Sequence, residues 1–273
     1  MVLSEDLTEA IRVFETPKFM VTKDSSNEPN VVPVMSWTVY EGNTLVYGDF
    51  MTYKSRKNLK DGNREMALLV LKTSLDNWLI KARFESYHRN DDLFEFIAQT
   101  PLFRYSQYTN ARAAGVAEAI WASEKYTVSK VSLLSSFLKA KRSAGRVPVV
   151  ETEEGNMPRN VKVRFARMVA VKVVAFVDDE GQPAAFPEFG MVPASSNSLV
   201  VRRGEERKRG LELKDGQRVA VSLVTLEPAA FQVKGTFHVM NHNTGYIQLD
   251  RVYSCSLPRP GLRIDLPLVT SAT

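Results

Sequence analysis

The strongest constraint on the fold is that the chain repeats itself once. Glu28-Pro29-Asn30-Val31-Val32-Pro33 is matched by Gln182-Pro183-Ala184-Ala185-Phe186-Pro187, and Asn58-Leu59-Lys60-Asp61-Gly62-Asn63-Arg64 by Glu212-Leu213-Lys214-Asp215-Gly216-Gln217-Arg218. The separations 183 − 29 and 213 − 59 are both 154 residues. The same offset pairs Asn43 with Asn197, Leu45 with Leu199, Val46 with Val200, Lys54 with Lys208 and Leu69-Val70 with Leu223-Val224. A period this long lies far outside the roughly 20–50 residues of solenoid repeats. It points instead to two homologous domains fused in tandem, a dimer written in one polypeptide, and 273 residues hold both.

Within the first copy the pattern is mostly strand. Ser4 is an N-cap for a short helix carrying Leu7, Ile11 and Phe14 on one face. Lys18 to Thr22 reads as a strand, residues 24–27 as its turn, Asn30 to Tyr40 as a long second strand and Glu41-Gly42-Asn43 as a hairpin turn. Thr44 to Tyr47 continues as strand, Gly48-Asp49-Phe50-Met51-Thr52 breaks the pattern, and Tyr53 to Lys60 reads as a helix. Met66 to Leu71 is an apolar strand, and two further strands are expected around Trp78 to Ser86. Short strands at hairpin spacing with one inserted helix predict a small barrel.

These residues resemble the pyridoxamine 5′-phosphate oxidase-like family of FMN-binding split β-barrels. The resemblance rests on Val31-Val32-Pro33-Val34, on Leu45-Val46-Tyr47-Gly48-Asp49 before a break, on Lys54-Ser55-Arg56-Lys57-Asn58-Leu59 opening a helix, and on Asn63-Arg64 before an apolar strand. It covers about residues 4–87, and roughly 165–257 through the repeat, where Arg251-Val252-Tyr253-Ser254 looks like the family's last strand. It implies a mainly β protein: two tandem split β-barrels forming a pseudo-dimer, over 1–87 and 161–273, with a helical connecting segment over 88–160. It also implies a flavin held between two barrels and an FMN-dependent oxidoreductase acting on a small-molecule substrate with a reduced electron donor. A non-catalytic protein that stores or senses flavin or haem is the alternative, and a deazaflavin in place of FMN stays open. Carried over position by position, Lys54 and Ser55 would grip the FMN phosphate. Pro33, Val34, Met35, Ser36, Gly48, Asp49 and Met51 would contact the ring and ribityl chain. The phosphate assignment is physically sound, because a helix N-terminus and an ammonium both favour a dianion. Taken without the resemblance, Lys54-Ser55-Arg56-Lys57 reads as a solvated helix face. With the partner barrel in the same chain, a monomer is expected to be able to complete the site.

The second copy departs from this pattern. Arg207-Lys208-Arg209-Gly210-Leu211 stands where the first copy has Tyr53-Lys54-Ser55-Arg56-Lys57, so the lysine is kept and the hydroxyl lost. Val201-Arg202-Arg203 stands where the first has Tyr47-Gly48-Asp49. One good site and one degenerate or repurposed one is the expectation, although the arginine cluster could still hold a phosphate. Between the copies, Asn90-Asp91-Asp92 caps a helix bearing Leu93, Phe94, Phe96 and Ile97 that ends near Thr100-Pro101. A helix from Arg112 to Ala122 and another from Val128 to Lys141, with Val131, Leu134 and Leu138 inward, are expected next. They either cap the flavin cleft or merely connect the copies. Gly145 to Pro158, with Glu151, Glu153 and Glu154, reads as an exposed linker.

Charge and motif content narrow the alternatives. A net charge of +5 suits an acidic ligand, and the positives cluster at Lys54–Lys60, Lys139–Arg146 and Arg202–Lys214. No nucleic-acid motif accompanies them, so nucleic acid is not an expected partner. The longest apolar run, Met66 to Leu71, falls far short of the roughly 18 residues of a membrane span, and the acidic start lacks a signal-peptide pattern. One cysteine, Cys255, permits no intrachain disulfide and is expected to be a packed thiol, and a cytoplasmic location follows as the expectation. His238 and His242 have helical metal spacing but fall at an expected strand end, so no metal is expected. No G-x-S-x-G elbow, P-loop or G-x-G-x-x-G occurs. Tyr40, Tyr47 and Tyr53 are candidate proton carriers, each with an ordinary structural role as well.

Overall fold

A computed structural model of the chain describes residues 2–104, 111–150, 152, 154–225, 229–256 and 260–266. By contacts it divides into two units, residues 1–127 with the turn 177–185, and residues 128–176 with 186–273. The first copy runs α1 (Glu5–Arg12), β1 (Lys18–Lys23), β2 (Pro29–Pro33), β3 (Thr38–Glu41), β4 (Thr44–Gly48), α2 (Tyr53–Lys60), β5 (Glu65–Leu71), β6 (Asp76–His88), α3 (Asp92–Ala98), α4 (Pro101–Arg104), β7 (Ala114–Ala122) and β8 (Tyr126–Thr127). After α5 (Lys130–Ala144) the second runs α6 (Arg159–Phe165), β9 (Val171–Val177), β10 (Pro183–Pro187), β11 (Val192–Pro193), β12 (Ser198–Arg202), α7 (Gly204–Lys208), β13 (Arg218–Val224), β14 (Ala230–Asn241), β15 (Thr244–Ser254) and β16 (Leu262–Arg263).

The protein is mainly β, with two antiparallel eight-stranded sheets of one topology, as expected of tandem split barrels. The first has the order β2-β1-β5-β6-β7-β4-β3 with β8 on β6; the second has β10-β9-β13-β14-β15-β12-β11 with β16 on β15. The 154-residue offset maps β2 onto β10 and β4 onto β12 residue for residue, and carries the start of α1 to that of α6. Against β4, Gly48 pairs with Ala114 of β7, while against β12 Arg202 pairs with Thr244 of β15. The offset has fallen there from 154 to 130, because β14 and β15 join by a tight turn where β6 and β7 enclose α3 and α4.

The local chemistry accounts for the elements. Ser4 Oγ accepts the Leu7 N–H at 3.3 Å and caps α1, whose Leu7, Ala10 and Ile11 are buried. Removing Leu7 or Ile11 from water contributes about 1.5–3 kcal/mol each. Phe14 lies past the helix end and is exposed. In β5, Met66 to Leu71 is buried on both faces, as a strand inside a closed-up sheet must be. Leu7, Met20, Trp37, Tyr47, Leu68 and Ile80 belong to its main core.

Several expected elements change in the structure. The long strand over Asn30 to Tyr40 is two strands, β2 and β3, broken at 34–37 where Trp37 turns into the core against Tyr47. The two strands around Trp78 to Ser86 are one, the thirteen-residue β6. The helix expected over Arg112 to Ala122 is β7, paired to both β6 and β4, so two hydrogen-bond ladders override the helical propensity of its alanines. A Cβ at its Gly115 would run into the Tyr47 ring. The helix expected from Val128 to Lys141 is α5, but Phe137 and Ala140 face inward, and Val131, Leu134 and Leu138 are 79%, 48% and 56% exposed. The stretch 145–158 is no simple exposed linker, since Val147, Asn156 and Met157 are buried; Glu151 and Glu153 lie outside the described residues. Among the described residues no helix is long and apolar enough to cross a membrane.

Candidate functional site

The two stretches singled out in the first copy, 33–36 and 48–55, run side by side. Ser36 Oγ accepts the Gly48 N–H at 3.1 Å and lies 3.3 Å from the Gly48 carbonyl, to which it donates. Asn30 Nδ2 donates to Ser55 Oγ at 3.0 Å, and Lys54 Nζ lies 3.6 Å from Glu28 Oε1. Each residue then has a definite place. Pro33 ends β2 and, like Met35 and Met51, is half-buried; Val34 is buried and donates its N–H to Lys18 O. Met51 adopts a left-handed backbone with φ 57°, which turns the chain into α2. Lys54 is 39% exposed on the first turn of α2, whereas Ser55 is 1% exposed and already accepts from Asn30.

Asp49 is buried and anchors the start of α2. It accepts from Thr52 Oγ1 and pairs with Arg56, whose guanidinium also lies 4.4 Å over the Tyr87 ring. Because Thr52 turns its hydroxyl to Asp49, α2 begins without a side-chain cap, and its first turn carries no acidic residue. Such a helix start favours an anion. In the flanking stretches Val32, Pro33, Met35, Phe50 and Met51 are half-buried, Val32 against the main core and Phe50 against the cluster of Val46, Ile97 and Phe103. The start of α2, with Lys54 on its first turn, has the donor chemistry to hold a phosphate or another small anion. Of the candidate proton carriers, Tyr47 is fully buried with its hydroxyl 3.2 Å from that of Tyr87, and burial pushes both phenols up. Tyr40 packs on Phe96, and Tyr53 is exposed under the Arg112 guanidinium.

The matching region of the second copy is filled with charge. Arg203, which takes the place of Asp49, donates to Glu206 Oε1 at 2.7 Å, and Glu206 takes the place of Thr52. Glu188 replaces Val34; it is fully buried, accepts from the Gly190 N–H at 2.6 Å, and burial pushes its carboxyl up to about 8. Lys208 lies 3.4 Å from Glu205 and Arg209 3.7 Å from it. The basic cluster noticed in the sequence is thus interleaved with buried carboxylates.

One pair of residues escaped the sequence reading although the repeat register contains it. Lys18 and Lys172, 154 residues apart, are fully buried. Lys18 Nζ donates to the carbonyls of Val13 at 2.8 Å and Met35 at 3.3 Å; Lys172 Nζ donates to that of Arg167 at 2.8 Å. Burial pulls both ammonium groups down to about 8. Cys255 follows β15, and burial pushes its thiol up to about 12, the behaviour of an inert packed cysteine. His238 stacks on Tyr246 within β14 and β15, and His242 lies in the turn between them. Among the described residues no group of three His, Cys, Asp or Glu is placed to hold a metal.

No family model matches the chain, and no curated protein does. Solved structures are similar over part of it. A variant of HupZ from Group A Streptococcus is 16% identical, with a TM-score of 0.38, over 46% of this chain and 100% of its own. An FMN-binding protein from Syntrophomonas wolfei is 14% identical, with a TM-score of 0.38, over 46% of this chain and 84% of its own. A candidate pyridoxamine 5′-phosphate oxidase from Lactobacillus delbrueckii is 21% identical, with a TM-score of 0.37, over 44% of this chain and 93% of its own.

Proposed function

We propose that the protein is an FMN-dependent oxidoreductase of the pyridoxamine phosphate oxidase-like type, with its flavin held at the first repeat. The observation that supports this most is the convergence of 33–36 with 48–55, tied by Asn30–Ser55 and Ser36–Gly48, beside a helix start that has no cap, no acid and one half-exposed lysine. FMN when bound supplies two-electron hydride chemistry that no side chain provides. In this reading Lys54 and the first turn of α2 bind the phosphate. Ser36 and Asp49 do not touch it: Ser36 fixes the Gly48 backbone, and Asp49 with Thr52 and Arg56 fixes the start of α2. Ser55 ties α2 to β2 and leaves the phosphate to Lys54. The substrate is a small molecule and a reduced donor supplies the electrons.

Titrating the flavin-free protein with FMN tests the binding half. Quenching of flavin fluorescence that saturates at one FMN per chain, in a species that sediments as a monomer, is expected. Anaerobic bleaching of the yellow complex by a nicotinamide donor, with colour returning in air, is expected for the oxidoreductase. A complex that binds FMN but is bleached by no such donor would instead support a flavin carrier, and a protein that quenches nothing would end the reading.

A further inference from the structure

The last residues of β6 and the turn after it bring together three side chains that the flavin reading does not use. Ser86 Oγ lies 2.7 Å from His88 Nε2, and His88 Nδ1 lies 2.6 Å from Asp91 Oδ2. Ser86 and His88 are two apart on one strand, which puts them on one face. Asn90, with φ 58°, turns the chain so that Asp91 comes back beneath the ring. The other carboxylate oxygen of Asp91 accepts the Phe94 N–H at 3.0 Å as the cap of α3, so the group that orients the imidazole is itself held. That N–H and His88 keep the Asp91 carboxyl below the usual carboxylate range.

We propose that Ser86, His88 and Asp91 form a nucleophile, base and orienting carboxylate, making Ser86 a serine that can be acylated by an activated ester. The order of contacts is the one nucleophilic catalysis requires: hydroxyl to one ring nitrogen, carboxylate to the other. The hydroxyl oxygen bonds to the acyl carbon as its proton passes to His88 Nε2, and the departing alkoxide or phenolate takes that proton. Water, deprotonated by the same nitrogen, then attacks the acyl-serine and returns the proton to Ser86. No electrons are exchanged with any oxidant or reductant. The site can be reached, because β5 ends its pairing with β6 at Glu65 and Arg83, so Ser86 and His88 pair only with β7. His88 is 31% exposed. The second copy lacks the set: His238, paired with Tyr246 as Ser86 is with Val116, stands in place of Ser86, and β14 runs by a tight turn into β15 with no counterpart of Asp91 and α3.

The experiment uses the full chain, flavin-free and FMN-loaded, with a fluorophosphonate probe and with p-nitrophenyl acetate. The expected result is one phosphonyl adduct, located by peptide mass spectrometry on Ser86 in both forms and absent from Ser86→Ala. His88→Gln and Asp91→Asn should slow labelling by about a hundredfold, the usual contribution of a positioned base. Asparagine caps a helix as well as aspartate does, so Asp91→Asn should leave the thermal melt unchanged and separate a positioning role from a merely structural one. No adduct on Ser86 in the parent, or labelling at an unchanged rate in His88→Gln, overturns the proposal. Neither outcome touches the FMN titration, so the two readings fail independently.

Discussion

In the first repeat Val46 of β4 packs with Ile97 of α3 and Phe103 of α4; in the second, Val200 of β12, its exact sequence counterpart by the 154-residue offset, packs with Phe137 and Ala140 of α5. The two covers are unrelated. One is inserted between β6 and β7, and the other precedes the repeat and comes from the connecting stretch. An apolar outer face on this strand must be covered, and the sheet accepts whichever helix the chain delivers there. The interiors diverge in a second way. Asp49 with Thr52 and Arg56 in one repeat becomes Arg203 with Glu206 in the other, so the charge at the helix start is reversed while the anchoring function stays. The second repeat also buries three carboxylates, Glu188, Glu205 and Glu206, where the first has Val34, Met51 and Thr52.

The largest expected effect tests that reversal. Arg203 and Glu206 have side chains 5% and 0% exposed, and Arg203 also donates to Leu213 O at 2.8 Å. Arg203→Met leaves a buried carboxylate without its partner and should cost about 3–5 kcal/mol by urea unfolding. Glu206→Gln in the same background should recover most of it. Asp49→Asn should cost less, about 1–3 kcal/mol, because Arg56 retains the Tyr87 ring and some solvent. If Asp49→Asn proves the costlier change, the two anchors are not equivalent.

The next effect lies in what the repeats share. Lys18 is pulled down to about 8 from an ordinary 10.5 by burial, so at neutral pH the fold holds a charged group it disfavours. Between about pH 8 and 10.5 the unfolded chain binds the proton that the folded chain has released, and stability rises with pH, by up to about 3 kcal/mol. Unfolding midpoints measured across that window should climb for the parent relative to Lys18→Met, which has no such proton to lose. Lys172 is the less clean copy, because Glu188 titrates beside it. A parent and a Lys18→Met protein with parallel pH profiles would mean that burial does not pull the Lys18 ammonium down.

For function, the contrast is Lys54 against Lys208. If FMN binds as proposed, Lys54→Ala removes a charge-assisted phosphate contact worth about 1.5–3 kcal/mol and should lower FMN affinity roughly ten- to a hundredfold. Melts of the flavin-free protein should hardly move, since a partly exposed lysine near Glu28 contributes little. Lys208→Ala should leave FMN affinity unchanged, because the first turn of α7 carries the buried Glu205 and Glu206 where that of α2 carries no acid. An effect confined to Lys208 would assign the flavin to the other repeat.

How far the sequence speaks depends on whether a residue's environment is local. Helix α2 was legible to its bounds, since a break, a basic start and an apolar strand frame it, and the convergence of 33–36 with 48–55 followed from the resemblance. The role of Ser55 was not legible: that its hydroxyl faces Asn30 is set by how α2 lies on β2. Strand β7 read as a helix because alanine-rich sequence favours one, and only the two ladders on either side decide otherwise. The buried Lys18 and Lys172 were legible in principle, as identical lysines in one register, but a lysine in a strand looks like a solvent-facing residue until its burial is known. The Ser86, His88 and Asp91 set depends on the turn at Asn90.

On α5 the face that the spacing predicts to be buried and the face that is buried differ. Val131, Leu134 and Leu138 have the three- and four-residue spacing of a buried stripe, yet the helix turns Phe137 and Ala140 onto β11 and β12. Phe137 prevails because a phenyl ring buries more area than a leucine and fills the space beside Val192 and Val200. Leu138, 56% exposed, gives up little contact with water's exclusion. Leu138→Gln keeps nearly the same helix propensity and should shift stability by no more than about 0.5 kcal/mol in either direction. Phe137→Ala, one residue away, should cost about 3–5 kcal/mol. Unfolding of the two variants side by side fixes which face is inward: equal losses would mean that the Leu138 face is covered as well, and that the cover over β12 is broader than its counterpart over β4.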